Sequence, residues 1–425
     1  MKSSLEKLFA LVLLTAAMIG CGEPPETVDL LLTNARVIDG TGTIHDRATI
    51  AITGERIQAV TSDENRFKAA TTIDVEGKTV LPGLINVHVH LRTRDVVDEQ
   101  GMTEYVTHRL PAYLQEYLAH GVTTIKSAGD IAEPFIEVRE RLARGELQGP
   151  RLFLVGPVLT AQGGHPAATL VKDSPWLRER HATELASEAE ARTVVRELAD
   201  LGVDAIKFVY HGSTDENKPY FFSPGLPIRK MSPQMMRAII DESHQLQLRV
   251  TAHTNEVEDA IAVLEAGCDG IEHGVSRSRL PDQKLGDLLR ESGAFYVPTL
   301  SLGGATGRWT SERWEATTAN LKQLVDQGAR IALGTDGNPA SIGSGAATLK
   351  ELELMVEAGM SPEQVIEAAT RNAAEHLGKL DDLGTLEAGK LADLVIVNGD
   401  PLADITVMNN IEVVIQGGRV VVDNR

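Results

Sequence analysis

The sequence predicts an α/β protein: a (β/α)8 TIM barrel with a small β-sandwich domain formed from the N- and C-terminal segments. Three observations support this fold class. From about residue 82 to residue 378, short apolar runs alternate with helical stretches, and eight such runs can be counted. On either side, apolar and polar residues alternate and glycines interrupt them, as in antiparallel strands. The 425 residues, 42% of them hydrophobic, suffice for one large barrel and a smaller companion.

The barrel prediction is built from strands and the helices between them. The predicted strands are LINVHVH, VTTIKSA, RLFLVG, DAIKFVY, LRVTAHT, GIEHG, AFYVPTL and RIALGTD. Helices are predicted over Glu188 to Leu201, behind a capping box of Ser187 and Glu190, and over Pro233 to Leu246, behind Ser232. Eight such units place the chemistry at the C-terminal ends of the strands.

The first residues form a separate segment. Lys2 and Lys7 precede an apolar run over 8–19, which is too short to span a bilayer. Gly20 and Cys21 follow, and Met18 to Cys21 resembles a bacterial lipobox, in which Cys21 is lipidated. The resemblance implies an exported protein, lipid-anchored in the cell envelope at the outer membrane. A plain secretory peptide is the alternative.

These segments divide the chain into five parts. The predicted boundaries are 1–20 for the lipoprotein signal peptide, 21–27 for a tether, 28–81 for the first part of the β-sandwich, 82–380 for the barrel and 381–425 for the second part of the β-sandwich. If Cys21 is lipidated, Cys268 is the one cysteine left, and no intrachain disulfide forms.

The charge balance limits the partners. Sixty acidic residues outnumber 41 Lys and Arg, giving a net charge of -19, so nucleic acid is set aside as a partner. The expected partners are a small-molecule substrate and, through the lipid anchor, a membrane. The sequence leaves open whether the protein forms a homo-oligomer.

Metal-ligating residue types recur at the predicted strand ends. His88 and His90 are one residue apart, so both side chains lie on one face of a strand and can chelate one ion. The other strand-end candidates are Lys207, His253, His273 and Asp336. Imidazole and carboxylate donors without thiolate favour zinc or a similar divalent ion.

Twelve histidines are present, and not all are candidates. His165 and His211 fall in loops on the same predicted face as the strand-end histidines. The remaining six are expected at the surface: His45, His108, His120, His181, His244 and His376.

Several motifs together resemble the amidohydrolase superfamily from end to end. They are VLPGLINVHVH, the Lys of DAIKFV, VTAHT, IEHG, GTDG and GTLEAGKLADLVIV. The branch it resembles comprises imidazolonepropionase-like proteins and prolidase-like metal-dependent dipeptidases. The resemblance implies two divalent ions, with His88, His90 and Asp336 on the more buried ion and His253 and His273 on the more exposed ion. It also implies that Lys207 is carboxylated by CO2 and that its carbamate bridges both ions.

This resemblance leads to a predicted function. A binuclear hydrolase is expected to cleave amide C–N bonds, in dipeptides or N-acyl amino acids, by attack of a metal-bridging hydroxide. Asp336 would act as the catalytic acid-base that passes the proton to the leaving nitrogen. His165 in a GGH element, Tyr210 and His211 are substrate-binding candidates, beside Tyr220, Phe221, Phe222 and Arg229, although loop packing explains each equally well.

Two alternatives remain open at this point. His253 and Glu256 have the His-x-x-Glu spacing of barrel deaminases, which favours a mononuclear deaminase or cyclic-amide hydrolase with Lys207 unmodified and paired with a barrel carboxylate. Glu256 is better explained as the start of the helix after the fifth strand. The other alternative is a lipoprotein that binds metal or solute without turnover.

Overall fold

The computed structural model describes residues 25–212, 228–304, 306–307, 309–339 and 345–425. Among these residues, five strands come first: β1 (Glu26–Ile38), β2 (Ile44–Thr53), β3 (Arg56–Thr61), β4 (Phe67–Asp74) and β5 (Thr79–Pro82). The middle of the chain contains β6 (Leu84–Val89), β7 (Val122–Ser127), β8 (Arg151–Leu154), β9 (Val158–Ala161), β10 (Ala182–Leu185), β11 (Ala205–Val209), β12 (Arg249–His253), β13 (Gly270–Glu272), β14 (Phe295–Val297) and β15 (Arg330–Ile331). Near the C-terminus lie β16 (Leu394–Val397), β17 (Ile411–Gln416) and β18 (Arg419–Asp423).

The helices lie mainly between the strands of the middle segment. They are α1 (Glu99–His108), α2 (Leu110–Ala119), α3 (Ala132–Ala143), α4 (Pro175–Arg180), α5 (Glu188–Leu201), α6 (Pro233–Gln245), α7 (Val257–Glu265), α8 (Lys284–Ser292), α9 (Ser301–Gly304), α10 (Ser311–Asp326), α11 (Gly345–Glu357), α12 (Pro362–Ala369) and α13 (Arg371–His376). Among the described helices, none has the length and apolar character needed to cross a membrane.

The two ends of the chain pair into one small β-domain, as the sequence predicts. Its eight strands form a sheet in the order β18, β17, β16, β5, β1, β2, β3, with β4 paired to β1. The N- and C-terminal parts meet where Val80 of β5 pairs antiparallel with Ile396 of β16. Leu32, Ile50 and Val413 are fully buried in a shared core, so neither segment could bury its apolar face alone.

The middle segment forms the predicted barrel of parallel strands. β6, β7 and β8 form one sheet, and β10, β9, β11, β12, β13, β14 and β15 form another. Backbone hydrogen bonds join the two at both edges. Asp204 N donates to the carbonyl of Leu154 at 2.7 Å, and Val87 N donates to the carbonyl of Leu333 at 2.9 Å. The second contact closes the ring and brings the segment after β15 beside β6.

The eight predicted strands correspond to β6, β7, β8 and β11 to β15, and the fold class is confirmed. The prediction did not include β9 and β10, which pair with each other over four residues and join the barrel through Leu159 and Phe208. Polar residues interrupt both, Thr160 in β9 and Thr183 with Glu184 in β10, so neither has the apolar run by which the other barrel strands are predicted.

Local details differ from the predictions by one or two residues. Helix α5 has the predicted bounds, but the Glu190 carboxylate accepts a hydrogen bond from Ala186 N at 2.7 Å instead of from Ser187 N. Strand β1 begins at Glu26, inside the predicted tether, because Glu26 and Thr27 pair with β4.

Candidate active site

His88 and His90 stand at the C-terminal end of β6 with their rings 5.5 Å apart. The His90 Nδ1–H donates to the carbonyl of Gly129 at 2.8 Å, which turns Nε2 towards Asp336 Oδ1, 3.1 Å away. The His88 Nδ1–H donates to Glu272 Oε2 at 2.6 Å, which leaves its Nε2 3.5 Å from the same Asp336 oxygen. Both imidazoles therefore present Nε2 to one point.

Asp336 is the third member of this cluster and comes from the segment that closes the barrel. Its backbone N donates to the carbonyl of His88 at 2.9 Å. Asp336 has a φ of 53° and His273 a φ of 65°, a left-handed backbone that non-glycine residues rarely adopt. Such strain persists where surrounding contacts hold it, and it clusters at functional sites. Burial alone would raise the pKa of Asp336, but the imidazoles of His273 and His88 hold it well below its usual range.

Lys207 points into the same cluster from β11. Its Nζ lies 3.0 Å from His88 Nε2, and the side chain is buried. Burial lowers the pKa of Lys207 to about 8, although nearby carboxylates oppose the shift. Among the residues that the structure describes, no carboxylate oxygen forms an ion pair with Lys207 within 4 Å, contrary to the alternative in which it pairs with a barrel carboxylate.

His253 and His273 lie at the edge of the cluster. Their rings are 4.5 Å apart, and His273 Nδ1 lies 3.9 Å from Asp336 Oδ2. His273 Nδ1 is hydrogen-bonded to Thr299 Oγ1, and His253 Nε2 accepts from the amide of Asn255, each at 3.0 Å. Burial holds the pKa of both histidines well below the usual value, so both rings are neutral, the form that binds metal.

Two of the loop candidates adjoin the cluster. The His165 and His211 rings lie 5.2 Å and 5.4 Å from the His253 ring, so both histidines adjoin the cluster. Burial lowers the pKa of His165 to about 3 and that of His211 to about 2. Tyr210 is buried with its ring 4.7 Å from Lys230 Nζ. The other loop candidates Tyr220, Phe221 and Phe222 lie outside the described residues, as does Cys21.

Two predictions about histidines were wrong. His181 and His376 were expected at the surface, but both are buried. His181 follows the short helix α4, and His376 ends α13 on its barrel-facing side, where its Nε2 accepts a hydrogen bond from Lys126 Nζ at 3.0 Å. A helix of only six residues is too short to show an apolar face in the sequence, so the sequence does not indicate whether its histidine points to the core or to solvent.

Glu256 occupies the N-cap position of α7, as expected for a residue at a helix start. Its Oε1 lies 3.6 Å from Arg277 Nε, and the side chain is 38% exposed. Burial raises the pKa of Glu256 above its usual value, and Arg277 opposes this. The side chain thus has a charged partner at the rim of the barrel.

Three buried polar residues around the cluster, Glu272, Lys126 and Asp130, were not predicted from the sequence. Glu272 accepts from His88, as described, and from Lys126 Nζ at 3.0 Å. The Asp130 carboxylate accepts from Leu91 N at 2.8 Å and from Ser127 Oγ at 2.6 Å, which fixes the backbone just after His90. Lys126 within the predicted strand VTTIKSA could have indicated a buried acidic partner, because lysine is almost never fully buried without one.

The donor set fits a divalent cation. Among the described residues, one atom from each of His88, His90 and Asp336 lies within 4.8 Å of the other two. Two imidazoles and a carboxylate are the donors that zinc and similar ions take. Gly334 helps to place His88, because a Cβ at Gly334 would lie only 2.6 Å from His88 Cβ.

Comparison with known proteins agrees with this geometry. Residues 79–421 match the model of the amidohydrolase family. The chain belongs to the amidohydrolase family.

Individual amidohydrolases resemble the whole chain. Ochratoxinase from Aspergillus niger is 28% identical over 384 residues, covering 80% of this chain and 75% of that protein. Imidazolonepropionase from Geobacillus kaustophilus is 25% identical over 427 residues, covering 89% of each. A Xaa-Pro dipeptidase crystallised with methionine in its active site has 26% identity and a TM-score of 0.74, covering 92% of this chain and 99% of that one. This amidohydrolase is therefore a hydrolase that acts on carbon–nitrogen bonds, as the sequence predicts.

Proposed function

We propose that this amidohydrolase uses two divalent ions, with zinc as the expected metal, to hydrolyse the amide bond of dipeptides or N-acyl amino acids. The observation that carries the proposal is the convergence of His88, His90 and Asp336, with Lys207 Nζ 3.0 Å from His88 Nε2. Two imidazole nitrogens, a carboxylate and a buried amine meet where His253 and His273 also approach.

Lys207 is proposed to carry a carbamate formed with CO2. An ammonium among cation ligands would repel the ions, whereas a carbamate offers two anionic oxygens. The absence of an ion pair to Lys207 among the described residues, together with its low pKa, supports this modification. With it, His88, His90 and Asp336 would hold one ion, His253 and His273 a second, and Lys207 both.

The bound ions would supply an activated water and polarise the scissile carbonyl. Asp336 is ionised and its side chain is partly exposed, so it can accept the proton of the attacking water. The same carboxyl group then delivers that proton to the nitrogen of the breaking C–N bond. The products are a carboxylic acid and an amine.

The position of Arg313 supports a substrate that carries a carboxylate. Arg313 stacks on Trp309 at 4.2 Å and donates to Ser276 Oγ at 2.8 Å. Ser276 in turn donates to Asn255, which contacts His253. Burial lowers the pKa of Arg313 to about 10, and its buried Nε makes no hydrogen bond within the described part of the chain. A guanidinium placed in this way is suited to bind the carboxylate of a dipeptide or N-acyl amino acid.

A hydrolysis screen tests this function. Zinc-loaded protein is assayed on dipeptides, N-acyl amino acids, lactams and lactones, and each active substrate is compared with its C-terminal amide. We expect turnover of dipeptides or N-acyl amino acids. Amidation of the carboxylate should lower kcat/KM at least tenfold, because it removes a charged hydrogen bond and a loss of about 1.4 kcal/mol in binding energy corresponds to that factor. Equal rates on the amides would contradict the proposed substrate class.

The mononuclear alternative is tested by metal content. Two ions per chain favour the proposed mechanism, and one ion favours a deaminase or cyclic-amide hydrolase that uses Glu256. The contact of Glu256 with Arg277 weighs against the alternative. A metal- or solute-binding lipoprotein without turnover is not supported, because the chain belongs to a family of hydrolases.

Export and lipidation of Cys21 remain a prediction from the sequence. Cys21→Ser should abolish fatty-acid labelling and membrane association while leaving hydrolysis unchanged, because the barrel begins far from residue 21. Wild-type protein recovered in soluble form with Cys21 unmodified by mass spectrometry would refute the anchor.

A further inference from the structure

A chain of buried polar side chains runs behind His88, on the side away from Asp336. The Lys126 ammonium donates to Glu272 Oε1 and to His376 Nε2, each at 3.0 Å, and Glu272 Oε2 accepts from His88 Nδ1 at 2.6 Å. None of these four side chains is more than 3% exposed. We call His88, Glu272, Lys126 and His376 the buried polar chain.

Stability alone does not account for these charges. Taking a lysine and a glutamate out of water costs several kcal/mol per ion, and well-packed apolar side chains often serve a core at least as well. The pair also crosses the barrel, because Lys126 lies on β7 and Glu272 on β13, strands that belong to different sheets. A function in the active site is the better explanation, because the buried polar chain ends at His88, a proposed metal ligand.

The geometry determines which nitrogen of His88 carries the proton. Because the Glu272 carboxylate accepts the Nδ1–H, Nε2 is left as a lone pair directed at Lys207 and Asp336. Lys126 occupies the other oxygen of Glu272 and so prevents the carboxylate from turning away. Histidine ligands in metal sites are held in this way by carboxylates, and loss of the carboxylate lowers metal affinity by 10- to 100-fold.

We propose that Lys126 and Glu272 are positioning residues that hold His88 in its metal-binding tautomer and orientation. The inference rests on the metal site of the proposed function. It assigns a role to two residues that neither bind the ion nor contact the substrate.

Glu272→Gln is the informative substitution, since an amide has one acceptor end and one donor end. If its oxygen faces Lys126, its NH2 faces His88 Nδ1 and favours a proton on Nε2, where the ion should bind. If its oxygen faces His88, its NH2 meets the Lys126 ammonium. We expect the Zn2+ dissociation constant of chelator-treated protein, measured by competition with a metal-binding dye, to rise by about 10- to 100-fold.

A control and a second variant separate positioning from general stability. Glu242 is also buried and pairs with Arg192 and Arg196 on the outer helices. Glu242→Gln should therefore lower the thermal midpoint without changing Zn2+ affinity. The double variant Lys126→Met with Glu272→Leu removes both buried charges and leaves His88 Nδ1–H without its acceptor, so its thermal midpoint should recover relative to Glu272→Gln while its Zn2+ affinity stays low.

The outcomes are distinct. Wild-type Zn2+ affinity in Glu272→Gln, or recovery of affinity in the double variant, would overturn the positioning role alone. If Glu272→Gln does not fold, the charge-balanced double variant is compared with Glu242→Gln instead. A wild-type protein that binds no divalent ion would overturn the metal site and the positioning role together.

Discussion

An Asp336→Asn variant of this amidohydrolase is expected to lose about two to four orders of magnitude in turnover on the best substrate found by the screen. The carboxylate is both a proposed ligand and the group that transfers the proton, and an amide at pH 7 can do neither with the same strength. The Asp336 oxygens lie 3.1 Å from His90 Nε2 and 3.9 Å from His273 Nδ1, so the substitution changes the centre of the site. The measurement is kcat at saturating substrate, with metal content determined on the same sample.

Glu256→Gln is the matched control for Asp336→Asn. It also replaces a carboxylate by an amide on the C-terminal side of the barrel, but its side chain faces Arg277. Its turnover should stay within a few-fold of wild type. A metal-replete Glu256→Gln without activity would favour the deaminase alternative, and a metal-replete Asp336→Asn with normal turnover would refute both mechanisms.

Lys207→Ala is expected to reduce metal content towards one ion per chain and to cut turnover by about two orders of magnitude or more, the scale for loss of one essential group. The reason is that alanine removes the proposed bridge and leaves a cavity lined by His88. Inductively coupled plasma mass spectrometry gives the metal content.

A small acid can occupy that cavity and replace the carbamate oxygens. Formate or acetate should therefore restore part of the lost rate in Lys207→Ala, whereas chloride at the same ionic strength should not. Carbamate formation itself is tested by a 13C resonance after growth and exchange with 13C-bicarbonate, a signal that Lys207→Ala should lack. Two ions and full activity in Lys207→Ala would show that Lys207 carries no bridging carbamate.

The fold was predictable from the sequence because its signals are local and repeated. Each barrel strand is a short apolar run, and a helix with recognisable caps follows most of them, as with Ser187 at the start of α5. Strands β9 and β10 escaped prediction because polar residues interrupt their apolar runs, Thr160 in β9 and Thr183 with Glu184 in β10. They exist because β10 pairs with β9 and β9 pairs with β11, a tertiary effect that local sequence does not encode.

The site was predictable in part for a different reason. Ligand candidates such as His88 and His253 stand at strand ends, and in a barrel all the C-terminal strand ends share one face. The supporting residues could not be located in the same way. Glu272 and Lys126 lie on strands that are not neighbours, and His376 belongs to a helix beyond the barrel strands, so their meeting depends on the closed ring.

The backbone contact that closes the barrel has a consequence for folding. His88 and Thr335, joined by a hydrogen bond, are separated by 247 residues of chain, and Asp336 follows immediately. A loop of that length closes late, because its ends must meet before any contact between them is gained. The cluster of His88, His90 and Asp336 does not exist until then, so an ion can bind only to the closed ring. An ion bound at the proposed site would therefore slow unfolding and leave the speed of the early folding steps unchanged.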